Sequence, residues 1–326
     1  MGRVIFCLVM LMRVLVTGGA GFIGGCLCEE LVKRGCEVSI LDDFSSGSKS
    51  NVQHLLDDHS GRVRLFVGDC TERGDVAGVL EGVDVVFHFA ANPEVRLDLS
   101  DPETCFRQNV NATHVVLEAV RNSEVEKIVF ASTSTVYGDA RVVPTPEDYA
   151  PLKPISVYGA SKLASEALIT AYAHSYGFAA LILRFANVVG SRSGHGVIFD
   201  FVRKLRENPG ELEILGDGTQ TKSYLYIDDC VDAVLTAFEC MQGNVEVLNV
   251  GSEDQVGVRE IAEVVVEEMG LKDVNFRFTG GVDGGRGWVG DVKNMLLDVT
   301  RLKAKVWKPE YNSKEAVRQT VKRIVT

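Results

Sequence analysis

The 326 residues contain no apolar run long enough to span a bilayer, no excess of positive charge and no cysteine pair at CxxC spacing. Each absence removes a class of function. The one apolar stretch near an end, Val4 to Val16, is interrupted by Arg13 and falls short of the ~20 residues a membrane helix needs. With Arg3 ahead of it, the stretch has the outline of a weak signal peptide. No small-residue cleavage site follows, however, and it runs into a glycine motif, so Met10 or Met12 reads as the start and residues 1–11 as an extension. A cytoplasmic protein without membrane contact is expected. The net charge of -11 disfavours nucleic acid and anionic membranes as partners. The eight cysteines, without zinc-finger spacing, read as reduced thiols, and no cluster of histidines and carboxylates suggests a metal. There is no internal repeat, and the only low-complexity segment is the glycine-rich loop at 280–287.

What is present is a globular composition, 46% hydrophobic and 24% charged, with room for one large or two moderate domains. From residue 13 short β-branched runs alternate with amphipathic segments, the pattern of βα units on a parallel sheet. The strand candidates are Arg13–Thr17, Glu37–Asp42, Val63–Val67, Val85–Ala90, Lys127–Ser132 and Ala180–Arg184. Helices are expected at Gly24–Arg34, Glu103–Arg121, Val157–Tyr176 and Ser313–Val325. The expected fold is α/β: a doubly wound parallel sheet over 12–187 with a return segment 220–251, and a smaller C-terminal α/β substrate domain from 188–219 and 252–326.

Directly after the first strand, Thr17-Gly18-Gly19-Ala20-Gly21-Phe22-Ile23-Gly24 places glycines at 18, 21 and 24. Such a loop lets the backbone approach a pyrophosphate, whose charge the following helix N-terminus stabilises. The second strand ends at Asp42-Asp43, 18 residues beyond Gly24. A carboxylate there accepts the ribose hydroxyls of NAD and repels the 2′-phosphate of NADP. Asp69-Cys70 after the third strand and Ala90-Ala91 after the fourth suit the same groove, although each also reads as a plain turn. NAD is the expected cofactor.

Tyr158 and Lys162 stand at i and i+4, on one face of a helix. An ammonium beside a phenol favours the phenolate and makes it a better base. Upstream, Ser132-Thr133-Ser134-Thr135 leaves a strand at the sheet's carboxyl edge, where ligands bind. On an extended segment Thr133 and Thr135 share a direction, and Ser132 and Ser134 face away or bond to the turn backbone.

With these motifs in this order, together with His88 to Ala91, Asn109-Val110-Asn111, Leu183 to Asn187, Gly216 to Gln220 and Tyr226 to Asp229, the chain resembles the extended short-chain dehydrogenase/reductase family, and within it the NAD-dependent nucleotide-sugar epimerases. The resemblance runs over nearly the whole chain from Met12. It implies a Rossmann-like cofactor domain, Tyr158 as the base, Lys162 on the nicotinamide ribose, Thr133 as the active hydroxyl, and Asn109 beside the cofactor. It assigns Asn187, Val197, Leu215, Lys222, Arg286 and Met295 to a nucleotide-sugar substrate. The implied reaction is C4 epimerisation of a UDP-sugar, UDP-glucose and UDP-galactose first, through a transient 4-keto intermediate. Alternatives are another nucleotide sugar, such as UDP-N-acetylglucosamine or a UDP-uronic acid, or a non-catalytic NAD-binding scaffold. The family's dehydratases carry Asp-Glu after the active threonine, where this chain has Ser134-Thr135, which argues against dehydration.

Two departures from the family pattern fall in the diphosphate site. Lys222-Ser223 replaces an arginine segment, and Trp288 stands where a second arginine is usual, so the site rests on Lys222 and Arg286, with Trp288 read as a packing residue. Met295 is the position that gates N-acetylated sugars, and as a flexible side chain it implies partial exclusion. By the same resemblance, Glu103–Arg121 and Val157–Tyr176 are the helices of a homodimer. His88 reads as a satisfied core histidine, and His195 as a loop residue at the pocket edge.

Overall fold

The computed structural model describes residues 12–94 and 101–326; the expected extension at 1–11 lies outside them. The first strands are β1 (Arg13–Thr17), β2 (Glu37–Asp42), β3 (Val63–Val67), β4 (Val85–His88), β5 (Lys127–Thr133) and β6 (Ala179–Phe185). Shorter or later ones follow: β7 (Asn187–Val189), β8 (Glu211–Ile214), β9 (Thr221–Lys222), β10 (Tyr224–Tyr226), β11 (Val245–Val250), β12 (Val256–Gly257), β13 (Asn275–Phe278) and β14 (Asn294–Met295).

Seven of these form the main sheet in the order β11-β6-β5-β4-β1-β2-β3. The pairs β1–β2, β2–β3, β1–β4 and β4–β5 run parallel, with Thr17 opposite both Leu41 and His88. Strand order reverses between β1 and β4, so their carboxyl ends flank the crevice where such sheets bind ligands. The sheet is buried because its strands are apolar on both faces: Leu15, Val16, Val86 and Phe87 are wholly inaccessible. Helix Phe22–Lys33 buries Leu27, Cys28, Leu31 and Val32. Val116, Leu117 and Val120 of helix Ala112–Val120 join Ile169 and Ala173 of helix Val157–Tyr176 in a core over Val86, Ile128 and Ile182.

The chain divides into two compact units. The first contains the described residues up to Thr133, Ala160–Arg184 and Val231–Leu248; the second contains Ser134–Gly159, Phe185–Cys230 and Asn249–Thr326. In the second unit β7 pairs with β10 and β8 with β13, while β9 lies between β12 and β14. The closing helix Ser313–Val325 packs on helices Val258–Glu268 and Val197–Glu207. Its start is fixed by Asn312, whose side chain accepts from the Glu315 amide at 2.9 Å while the Glu315 carboxylate returns to the Asn312 amide.

One expected helix is not continuous. Glu103–Arg121 is broken into Pro102–Cys105, a π-helical segment Phe106–Asn111, and Ala112–Val120. The break turns Asn109 inward, where its side chain is 98% buried. Its carbonyl accepts from the Thr113 hydroxyl at 2.6 Å and the Ser165 hydroxyl at 3.3 Å, which keeps this buried acceptor satisfied through the wider turn. Among the described residues no helix is long and apolar enough to cross a membrane.

Candidate active site

In the first unit the glycine loop closes tightly against the neighbouring strand. Gly18 has φ of +69°, and a Cβ there would lie 2.6 Å from the Ala90 amide nitrogen. A Cβ on Gly24 would meet the Gly18 carbonyl oxygen at 2.2 Å. Only glycine fits either position, because one needs a left-handed backbone and the other direct backbone contact. Gly21 caps helix Phe22–Lys33, whose first turn holds no acidic residue, so its amides and dipole remain suited to a phosphate. Phe22 and Ile23, both half-buried, begin that helix.

Asp42 ends β2 and is buried. Its two oxygens accept from the Ala20 and Phe44 amides, each at 2.9 Å, so the carboxylate ties the glycine loop to the turn after β2. Burial raises its pKa, and the two amides oppose that rise. Asp43 is exposed and accepts from Ser45. Asp69 caps the turn after β3 through the Thr71 amide, and Cys70 is buried beside it, its thiol pushed up to about 12. Ala90 donates its amide to Thr17 Oγ1 at 3.3 Å, and Ala91 follows half-buried.

A buried polar chain runs from β1 across β4 to the π-helical segment. Thr17 Oγ1 lies 2.8 Å from His88 Nδ1, and His88 Nε2 lies 3.1 Å from Thr113 Oγ1. His88 is thus satisfied on both nitrogens, and burial, with the Lys162 charge, pulls its pKa down to about 3. Asn109 accepts from the Asn92 amide at 2.8 Å and donates to Ser161 Oγ at 3.0 Å. Lys162 is 98% buried, with Nζ 4.2 Å from the centre of the Phe130 ring, and burial lowers its pKa to about 7.

Thr133 is the last residue of β5 and is buried. The expected alternation stops there, because Ser134–Tyr137 forms a 3₁₀ turn. Thr135 therefore does not share the Thr133 direction through strand geometry, which corrects the extended-chain reading. Ser132 does not bond to the turn backbone: its hydroxyl donates to Glu166 Oε1 at 2.5 Å. In the second unit a Cβ on Gly159 would come within 2.8 Å of the Thr135 carbonyl, so glycine beside Tyr158 allows the start of helix Val157–Tyr176 to close on that turn. Tyr158, half-buried, and Lys162 lie one helical turn apart.

Sequence reading passed over two residues of the first unit. Glu166 is one turn beyond Lys162, and its buried carboxylate receives Arg184 through Nη2 at 2.7 Å and Nε at 3.0 Å, besides Ser132. The i+4 spacing from Lys162 to Glu166 was visible in sequence; the partners on β5 and β6 were not. Ser161, which meets Asn109, carried no signal beyond its place inside the Tyr–Lys motif.

In the second unit the basic substrate candidates converge on Asp291. Lys222 Nζ lies 2.5 Å from Asp291 Oδ1 and 5.4 Å from the centre of the Trp288 ring. Arg286 forks onto Asp139 at 2.7 and 3.1 Å and donates to the Asp291 carbonyl at 2.5 Å. Met295 is buried on β14, in register with Lys222 on β9. Asn187 bonds to the Ser223 carbonyl at 3.3 Å, and the Leu215 carbonyl accepts from Gln220 at 3.0 Å. Val197, half-buried, opens helix Val197–Glu207. This set therefore offers cations already matched by carboxylates.

Residues 14–251 match the NAD dependent epimerase/dehydratase family. The UDP-glucose 4-epimerase of Mycolicibacterium smegmatis is 32% identical over 318 residues, covering 95% of this chain and 97% of its own. A crystal structure of a UDP-galactose 4-epimerase is similar with a TM-score of 0.84 and 47% identity, over 96% of this chain and 98% of its own. The UDP-glucuronic acid 4-epimerase from Bacillus cereus, solved with UDP-glucuronic acid and NAD, is similar with a TM-score of 0.86 and 29% identity, over 96% and 99%. With a glycine loop that admits a dinucleotide, a doubly wound sheet and these relatives, the chain belongs to the NAD-dependent epimerase/dehydratase family, as an NAD-using nucleotide-sugar epimerase of the extended short-chain dehydrogenase/reductase type.

Proposed function

We propose that the chain epimerises a UDP-sugar at C4, interconverting UDP-glucose and UDP-galactose through a transient 4-keto sugar. The observation that carries this reading is the Tyr158–Lys162 pair, one turn apart on a helix whose start closes on the turn after Thr133. NAD fits the first unit: a Cβ at Gly18 or Gly24 would collide with backbone, and the helix start beside them carries no acid. Gly18, Gly21, Gly24 and Asp42 would hold it, with Asn109 and Lys162 toward its nicotinamide end. When bound, it supplies a reversible hydride acceptor.

Tyr158 takes the proton of the sugar 4-hydroxyl, and Thr133 bridges the two oxygens. Lys162 favours the phenolate by its charge. Asn187, Lys222 and Arg286 anchor the nucleotide end and leave the 4-keto sugar free to present its other face, after which Tyr158 returns the proton. Ser134 and Thr135 supply no carboxyl group for eliminating water. Lys222 and Arg286 must exchange part of their hold on Asp291 and Asp139 for the diphosphate. We also read the chain as a cytoplasmic homodimer.

A second reading, epimerisation of an N-acetylated or uronic UDP-sugar, is favoured by Met295, a flexible side chain in the gating position. Incubating the purified protein with UDP-, dTDP-, GDP- and ADP-sugars, and separating the products by chromatography, tests both readings. UDP-glucose giving UDP-galactose, with UDP-N-acetylglucosamine turned over more slowly, is expected. Epimer formation from another base alone would overturn the UDP assignment, and equal rates on the two UDP-sugars would overturn partial exclusion.

A further inference from the structure

The buried carboxylate of Glu166 takes no part in the reaction proposed above, yet it lies on the helix that carries Tyr158 and Lys162. It is 95% buried and bonded on both oxygens: Oε1 to the Ser132 hydroxyl and Arg184 Nε, Oε2 to Arg184 Nη2. Ser132 immediately precedes Thr133 on β5, and Arg184 is on β6. One side chain thus ties the helix to two strands, next to the hydroxyl assigned to the reaction. Fork-shaped arginine contacts fix orientation as well as distance.

We propose that Glu166 is a positioning residue of the site, a carboxylate that locks helix Val157–Tyr176 to β5 and β6 and supplies the negative charge facing the buried Lys162 ammonium. The inference rests on reading Lys162 as the lysine of the site. Phe130 from β5 lies against that ammonium at 4.2 Å, with the His88 ring of β4 stacked on Phe130 at 5.7 Å between ring centres. Cys105, from helix Pro102–Cys105, and Glu166 are the groups whose negative charge favours the protonated lysine, whereas burial disfavours it. Cys105 is a thiol 3.3 Å from Asn109 Nδ2 and 3.7 Å from Ser161 Oγ. Among these neighbours Glu166 is the carboxylate, held in place by the Arg184 guanidinium.

The arrangement answers a physical difficulty. A lysine buried this far tends to lose its proton near neutrality, and an uncharged amine would no longer favour the Tyr158 phenolate. Arg184 partly neutralises Glu166, so the Lys162 ammonium sees a carboxylate already shared with a second cation. Even so shared, the carboxylate offsets part of the burial penalty, so the Lys162 pKa is held at about 7 and does not fall further.

Lysine labelled with ¹³C at Cε reads the protonation of Nζ directly, independently of any sugar turnover. The Lys162 resonance is assigned by its loss in Lys162→Gln. In Glu166→Gln it should titrate at lower pH than in the native protein, by about one unit or more. Because Glu166→Gln takes a carboxylate away from the buried Arg184 guanidinium, Glu166→Gln/Arg184→Gln, which removes both charges, carries the test where the single variant does not fold. The downward shift should be smaller in the double variant than in Glu166→Gln, since Arg184 no longer repels the ammonium, yet should persist. Ser132→Ala, which keeps both charges, should leave the titration in place. Native-like titration of Lys162 in both glutamine variants would overturn the proposal, whether or not the protein proves to epimerise UDP-glucose.

Discussion

At the scale of single residues, the proposed chemistry rests on two oxygens, and each has its own test. Tyr158→Phe should lower turnover by roughly 10²- to 10⁴-fold, the range for losing a general base. NAD should remain bound, since in the proposed assignment the glycine loop and Asp42 hold the other end of the dinucleotide. Full activity in this variant would remove Tyr158 from the mechanism. Thr133→Val keeps the shape and removes the hydroxyl, raising the barrier by about 1.5 to 3 kcal/mol if that hydroxyl bonds to a developing charge. Thr133→Ser should be mild. Ser134→Ala should be milder than Thr133→Val, because Ser134 opens the turn and Thr133 closes the strand. The reverse ranking, measured by steady-state kinetics, would show that the active hydroxyl is one residue further on.

At the scale of elements, the packing of β4 makes a prediction about pH. His88 is held neutral in the fold at a pKa of about 3, against an ordinary value of 6.5. Between those values the unfolded chain binds a proton that the folded chain does not, so stability falls as pH falls through that window. One such group contributes up to about 1.4 kcal/mol per pH unit. His88→Gln should flatten the dependence of the unfolding midpoint between pH 6.5 and 4, even if it lowers stability throughout. An unchanged slope in chemical denaturation would show that other groups carry the acid sensitivity.

The elements also show what could be read in advance. β1, β2 and β3 keep their expected bounds, as do helices Val157–Tyr176 and Ser313–Val325; the strands are short β-branched or apolar runs bounded by glycine or polar residues. β5 runs one residue further than expected, to Thr133, and β4 stops earlier, at His88. The π-helical segment was not legible, since the contacts Asn109 makes from it, to Asn92 and Ser161, are 17 and 52 residues away. β11 was not assigned as a strand, with Glu246 and Asn249 interrupting its apolar run. At the site, glycine spacing and the Tyr–Lys pair announced themselves locally. The bonding of Glu166 to Arg184 and of Lys222 to Asp291 joins residues distant in sequence and needed the fold.

At the scale of the whole molecule, the homodimer reading places its interface on the Phe106 segment and helix Val157–Tyr176. Phe106 is 60% exposed and Tyr176 51% exposed, large apolar surface left open in one chain. Light scattering behind size exclusion should give about twice the chain mass of 35.5 kDa. Phe106→Glu should shift that toward one chain mass. A native mass of a single chain would refute the dimer while leaving the chemistry untouched.

The central claim is that hydrogen leaves C4 of a UDP-sugar and returns to the same carbon on the other face. UDP-glucose carrying deuterium at C4, incubated with the purified protein in ordinary water without added cofactor, tests it most directly. The account predicts UDP-galactose that retains the deuterium at C4, because the hydride never meets solvent. Deuterium lost to water, or no epimer formed by NAD-loaded protein, would contradict it.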